Sequence, residues 1–308
     1  MKLTALALLF AVAPVVPPVR VTLLGTGNPR PSIERFGPAT LVETTGAQPR
    51  RLLVDAGRGA ATRLFQLGEA SLLAGVDCLL LTHLHSDHVV GLPDLWLTGW
   101  MFGRARPLPL RGPAGTVALA DGLAAAFAFD IHSRRDVDEK LPAAGVELDA
   151  VEVQPDAPFE CGGFRVTAFT VDHGPVVPAY GYRVEVDGRV IVFSGDTRAT
   201  DAVTRRARGA DLLVHEVVSP DVERRRAKVD PALIERIIAR HTLPEEAGRL
   251  FTAAAPRLAV YSHVVPSVTR AEDLLGPTRR TYKGPLEVGE DLMAIEVGER
   301  VRVLRPSR

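Results

Sequence analysis

The chain has 308 residues, with 37 Lys+Arg against 37 Asp+Glu and so a formal net charge of zero with histidine neutral. At 46% hydrophobic and 24% charged it lacks the signature of disorder, and it lacks the basic surplus with which non-specific polyanion binders neutralise phosphates. Its two cysteines, Cys78 and Cys161, exclude a disulfide scaffold or a Cys-rich zinc module and allow one bridge at most.

Met1 to Val16 hold one Lys and an apolar run that closes on Ala11-Val12-Ala13, which reads as a signal peptide. The run is too short to cross a bilayer, which needs about 20 apolar residues. Residues 1–18 are therefore set apart as the leader of a periplasmic or secreted protein, and 19–308, undivided by any linker or repeat, as one domain. From Val19 onward, short β-branched runs alternate with Gly, Pro and Asp punctuation. The expected strands are Val19–Leu24, Ala39–Thr44, Arg51–Val54, Cys78–Thr82, Leu108–Arg111, Val146–Val153, Phe164–Val171, Tyr180–Val186, Val190–Phe193, Asp211–His215, Leu258–Ser262 and Leu292–Val297. Asp187-Gly188 marks a two-residue hairpin. Helical patterns cover Ala60–Leu67, Thr116–Phe129, Pro231–Arg240 and Pro244–Ala254, and Val301 to Arg308 read as a frayed tail. This order predicts an α/β fold in two similar halves, its sheets packed face to face with helices outside.

The chemistry concentrates in Thr82-His83-Leu84-His85-Ser86-Asp87-His88, which follows an apolar strand. In extended backbone residues i and i+2 share a face, so His83 and His85 can converge on one metal ion. Asp87 and His88, in the turn that follows, can present an oxygen and a nitrogen to a second. Imidazole with carboxylate suits zinc or a similar first-row metal. Three further strand ends supply matching groups: His173 as a third nitrogen for the first ion, Asp196 as a carboxylate able to bridge two, and His263 as a nitrogen for the second.

With these residues in place, the sequence resembles the metallo-β-lactamase superfamily and, within it, the branch of ribonuclease Z and arylsulfatase-like hydrolases. Leu24-Gly25-Thr26-Gly27 with Arg35 resembles the family's first strand and loop, and Leu53-Val54-Asp55-Ala56-Gly57 its second motif, whose Asp orders the metal loop. The resemblance implies a four-layer αβ/βα sandwich. It also implies two divalent ions, zinc ahead of manganese or iron, on His83, His85, Asp87, His88, His173, Asp196 and His263. Leu213-Val214-His215-Glu216 and His241-Thr242 resemble two motifs of this branch, in which the Glu and His pair to protonate the leaving group. Glu216 and His241 are thereby implied as the proton-donating pair, with Asp87 as proton acceptor beside a metal-bridged hydroxide. His215 is expected to support the site, and His132 to lie on the surface. A homodimer is a further implication.

One departure from ribonuclease Z stands out: only 22 residues (174–195) separate His173 from Asp196, leaving no room for the arm with which tRNA-processing members grip tRNA. With zero net charge and a leader peptide, this predicts a small-molecule ester of phosphodiester or aryl sulfate type as substrate, and no stable nucleic-acid complex. A β-lactam or lactone hydrolase and a ribonuclease Z-like 3′ processing enzyme are the alternatives, with a non-catalytic scaffold module as the bland one. The arginine clusters at 205–206, 224–226 and 279–280 read as solvated faces. Trp96 and Trp100, with Phe127 and Phe129, read either as walls of an apolar substrate pocket or as helix core.

Overall fold

A computed structural model describes residues 18–306 apart from Glu69 and Ala227, so the expected leader lies outside the described residues. In chain order β1 (Val19–Gly25), β2 (Ala39–Thr44), β3 (Arg51–Val54), β4 (Cys78–Leu80), β5 (Leu108–Gly112) and β6 (Leu148–Glu152) build most of a first sheet. A second sheet takes β7 (Pro158–Cys161), β8 (Phe164–Thr170), β9 (Tyr180–Val186), β10 (Arg189–Phe193), β11 (Leu212–Val218), β12 (Leu258–Val265) and β13 (Leu286–Val288). The chain then returns to the first sheet with β14 (Ala294–Val297) and β15 (Val301–Leu304). The strand orders are β15-β14-β1-β2-β3-β4-β5-β6 and β13-β12-β11-β10-β9-β8-β7.

The two-residue period of the strands sorts their side chains between layers. Leu52, Val54, Cys78 and Leu80 enter the core between the sheets with Phe164, Val166, Tyr182, Ile191 and Val214. Their neighbours Leu53, Leu79 and Leu81 face outward under helices Ala60–Gln66 and Leu92–Met101. On the far side, Leu213, Ala259 and Tyr261 pack under helices Asp201–Ala207, Pro244–Ala254 and Ala271–Thr278. Helix, sheet, sheet, helix is the four-layer sandwich that the resemblance implies. No helix among the described residues is long and apolar enough to cross a membrane.

Asp187 and Gly188 form the expected two-residue hairpin, both at positive φ, with Val186 paired to Arg189. Cys78 and Cys161 form a disulfide with Cα atoms 5.6 Å apart, tying β4 to β7 across the inter-sheet core. The expected frayed C-terminus is instead the edge strand β15, paired antiparallel to β14 with Val301 opposite Val297. Val301 and Val303 pack against the inter-sheet core, an alternation too short to stand out in sequence.

The strands β3 to β6 run parallel in one sheet, and β10 to β13 in the other. Their carboxyl ends open on a shared cleft, where such sheets leave room for ligands.

Candidate metal and catalytic site

Most groups at the cleft lie at or just beyond the carboxyl ends of strands. After β4 the chain passes through Thr82 to His83 and His85, then enters a short turn of helix, Ser86–Val89, that carries Asp87 and His88. The loop is locked from below by Asp55, which accepts hydrogen bonds from the Thr82 N–H and hydroxyl at 2.8 and 3.1 Å. Gly57 permits the close approach: a Cβ there would sit 2.5 Å from the Asp87 carbonyl oxygen. His173 follows β8, and Asp196 follows β10. His263 sits at an irregularity in β12, where Ser262 and His263 together face the single residue Glu216 of β11. Its φ of 42° is a left-handed conformation rare for a non-glycine residue, and such bulges re-aim side chains at active sites.

These groups converge. His85 Nδ1 lies 2.9 Å from His83 Nε2 and 3.4 Å from His173 Nε2, so three imidazoles meet at one point. His263 Nε2 lies 3.3 Å from Asp87 Oδ2, and His88 Nε2 lies 3.5 Å from the same oxygen, which forms a second group. Asp196 Oδ2 stands between them, 3.9 and 4.0 Å from His173 and His83 and 3.2 and 3.5 Å from His263 and His88.

The donor set fits divalent cations. Asp87 and Asp196 are buried and have no Lys or Arg partner among the described residues. Buried carboxylates need a compensating charge. Burial holds His83, His85 and His173 below the ordinary imidazole range, His173 at about 4, so these rings are neutral near pH 7, the form that can ligate a metal. His88 moves the other way: burial opposes its charge, but Asp196, Asp55 and Asp87 outweigh it. A buried surplus of negative charge is what cations would neutralise. Second contacts aim the rings. His88 Nδ1 lies 2.8 Å from Asp55 Oδ2 and His173 Nδ1 lies 3.3 Å from the Arg240 carbonyl, which leaves each Nε2 for the cleft.

Glu216 and His241 meet beside this cluster. His241 Nδ1 is 3.1 Å from Glu216 Oε2, while Oε1 accepts from the N–H groups of Thr242 at 2.9 Å and Thr197 at 3.2 Å. The His241 ring stands 5.2 Å from that of His173 and 5.7 Å from that of His263. His215 is fully buried and donates from Nδ1 to the Glu216 carbonyl at 2.6 Å. His132 is exposed and pairs with Asp136.

A cavity of about 430 Å³ opens over the cluster. His85, Asp87, His173, Asp196, His241, His263 and the buried Asn28 line it, and its more exposed side carries Arg30, Arg226, Ile237 and Arg240. Sequence reasoning missed these arginines; Arg240 had a signal, its adjacency to His241, while Arg226 was read as part of a solvated run. Of the two readings of the aromatic residues, helix core holds for Trp96 and Trp100, and the pocket wall does not. Trp96 and Trp100 are buried under the first sheet, their indole N–H groups donating to the Val146 and Pro142 carbonyls, and Phe129 is 87% exposed. None of them lines the cavity. A helix bearing both Trp residues on one face buries them before any cleft can use them.

Among known proteins, a family model described as "Beta-lactamase superfamily domain" matches residues 50–264. Ribonuclease Z of Mycobacterium bovis (strain BCG / Pasteur 1173P2) is 35% identical over 289 residues, covering 92% of this chain and 99% of its own. Ribonuclease Z of Mycobacterium marinum is 34% identical over 291 residues, covering 92% and 100%. In structure, the metallo-beta-lactamase fold protein YhfI of Bacillus subtilis superposes with a TM-score of 0.68 at 21% identity, covering 91% of this chain and 99% of that one. The short form of human tRNase Z gives 0.64 at 23%, covering 90% and 99%. The ribonuclease Z relatives, matched along nearly their whole length, overturn the expectation of a small ester, aryl sulfate or lactam substrate and of a chain without a nucleic-acid partner. Net charge misled because it averages the whole surface: acids elsewhere are matched by arginines, while the mouth of this cavity carries three arginines.

Proposed function

Because the chain belongs to the beta-lactamase superfamily, and among curated proteins matches ribonuclease Z along nearly its full length, we propose that this metal-dependent hydrolase processes RNA at the 3′ side by phosphodiester cleavage. The observation that carries the reading is that match at 35% identity, joined to a buried Glu–His pair 3.1 Å apart at the edge of the ligand cluster.

His83, His85 and His173 would hold one divalent ion and Asp87, His88 and His263 a second, with Asp196 shared, and zinc is the metal proposed for this imidazole and carboxylate set. Such ions supply Lewis acidity at a phosphoryl oxygen and acidify water. The chain's own residues do the rest. Asp87, buried at the cavity floor, takes up the proton that the attacking water gives up. His241 delivers a proton to the departing ribose oxygen, and Glu216 holds its ring in place and favours its charged form. The Glu216 carboxylate is itself fixed by two backbone N–H groups, so the pair is rigid before substrate arrives. Arg30, Arg226 and Arg240 at the mouth face the phosphates on either side of the scissile one.

The test is cleavage of a precursor tRNA bearing a 3′ trailer by protein of measured metal content, with and without chelator. Trailer removal that chelator abolishes is the expected result. Intact precursor alongside full metal occupancy would overturn the reading.

A further inference from the structure

Behind the ligand cluster lies a second cavity of about 40 Å³, separate from the substrate cavity in front. It has room for at least one water, which needs about 10–15 Å³, and none for a substrate. Asp196 lines both spaces. Its Oδ2 is the oxygen turned to the imidazoles of the ligand cluster, His88 and His263 nearest, while its Oδ1 is buried with no hydrogen-bond partner among the described residues. His215 lines the rear cavity and is fully buried. Its Nδ1 sits 2.6 Å from the Glu216 carbonyl, which only an N–H can satisfy, so the proton is on Nδ1. Burial keeps the ring neutral, which makes Nε2 an acceptor, and that atom too has no partner among the described residues.

Two buried acceptors on one small polar cavity cannot satisfy each other; a water can donate to both, and its oxygen can accept from the N–H of His263 Nδ1, which lines the same cavity with no partner among the described residues. We propose that a water molecule in this cavity donates one hydrogen bond to Asp196 Oδ1 and one to His215 Nε2, and that His215 is thereby a positioning residue for the shared metal ligand. Thr40 and Ser262 line the same cavity and can complete the water's coordination. With Oδ1 fixed from behind, Oδ2 is aimed at the point between the two imidazole groups. Leaving either buried atom without a hydrogen bond carries its full desolvation penalty, so the water is held rather than transient.

The inference rests on Asp196 being a metal ligand, which Asp196→Ala tests separately by loss of metal in a protein whose His215 is intact. The variants that test the inference are His215→Leu, which removes the acceptor, and His215→Gln, which restores one. Metal retention is read by titrating each folded protein with chelator and quantifying bound metal. The expected result is half-removal in His215→Leu at a chelator concentration about tenfold lower than in the native protein, as for other partners of metal ligands. His215→Gln should recover most of that difference. Native retention in His215→Leu would overturn the proposal. If His215→Leu does not fold, a crystal structure of the metal-loaded native protein decides. A water within hydrogen-bond distance of both atoms supports the proposal, and a dry cavity, or a water touching one atom only, overturns it.

Discussion

His241 Nδ1 and Glu216 Oε2 lie 3.1 Å apart in a buried corner that two strands and one loop build together. Glu216 comes from the middle of β11, and His241 from the loop after helix Pro231–Ile238. The Thr242 hydroxyl ties that loop to the Thr197 carbonyl at 2.7 Å, immediately after Asp196. The Glu216–His241 pair and the segment that carries Asp196 are therefore held by one hydrogen-bond network, so displacement of one would disturb the other.

Glu216→Gln keeps the shape of this corner and removes its charge. Burial alone would lower the His241 pKa, but the Glu216 carboxylate outweighs it and holds the ring above the ordinary imidazole value. A proton donor works below its pKa and fails above it. With the carboxylate gone the pKa falls, so the alkaline limb of the RNA-cleavage profile should move to lower pH in Glu216→Gln. His241→Ala should lose about 10²–10⁴-fold in kcat, the usual size of an acid–base contribution, with metal content unchanged. Profiles of kcat against pH on metal-quantified variants check both.

Removing the metal should destabilise the fold. Asp87, Asp196 and Asp55 crowd His88 in a buried space, and cations that leave expose their repulsion. An ion present at 100 times its Kd stabilises by about 2.7 kcal/mol, so chelator should lower Tm by several degrees and re-added zinc should restore it. Differential scanning calorimetry with chelator and with re-metallated protein gives the answer; an unchanged Tm would refute it.

Much of this cluster could be read in sequence because its residues sit where a period changes. The run Leu79-Leu80-Leu81 alternates between the inner and outer cores, and the polar cluster begins where that alternation ends. Asp196 likewise follows, and His263 lies within, an apolar strand that names itself by β-branched composition. What stayed illegible depends on tertiary placement. Arg226 and Arg224 are two residues apart, yet Arg224 pairs with Glu235 on the surface while Arg226 reaches the cavity mouth. Trp96 and Trp100 carry the same i, i+4 spacing whether a helix faces a cleft or a core, and only the packing against Val146 and Pro142 decides. Nor does spacing along the chain announce the bridge from Cys78 to Cys161, which face each other because two sheets do.

That bridge should contribute measurably to stability. It closes a loop between residues 83 apart in sequence, and cross-links of this kind add about 2–4 kcal/mol by restricting the unfolded chain. The double variant Cys78→Ala/Cys161→Ala should lose that amount in urea unfolding. Reductant should produce the same loss in the native protein and no change in the variant, which separates the bridge from the packing of two small buried side chains.

The arginines at the cavity mouth should set the salt dependence of RNA binding. Arg240 has no acidic partner among the described residues; its guanidinium donates to the Arg236 carbonyl at 3.1 Å and is otherwise turned to the cavity. Its backbone carbonyl, which meets His173 Nδ1, survives replacement of the side chain. Arg240→Ala should therefore weaken RNA binding while leaving metal content intact. Each phosphate contact releases about one counterion, so a plot of log affinity against log salt should flatten by about one unit in Arg240→Ala, and again in Arg240→Ala/Arg30→Ala. Arg226 differs, because Glu223 already pairs with it, and its loss should change the slope less. Binding isotherms across a salt series, with a His241→Ala background and chelator-free, short incubations to keep cleavage negligible, measure this directly. Equal slopes in all of these proteins would show that phosphate recognition lies elsewhere on the surface.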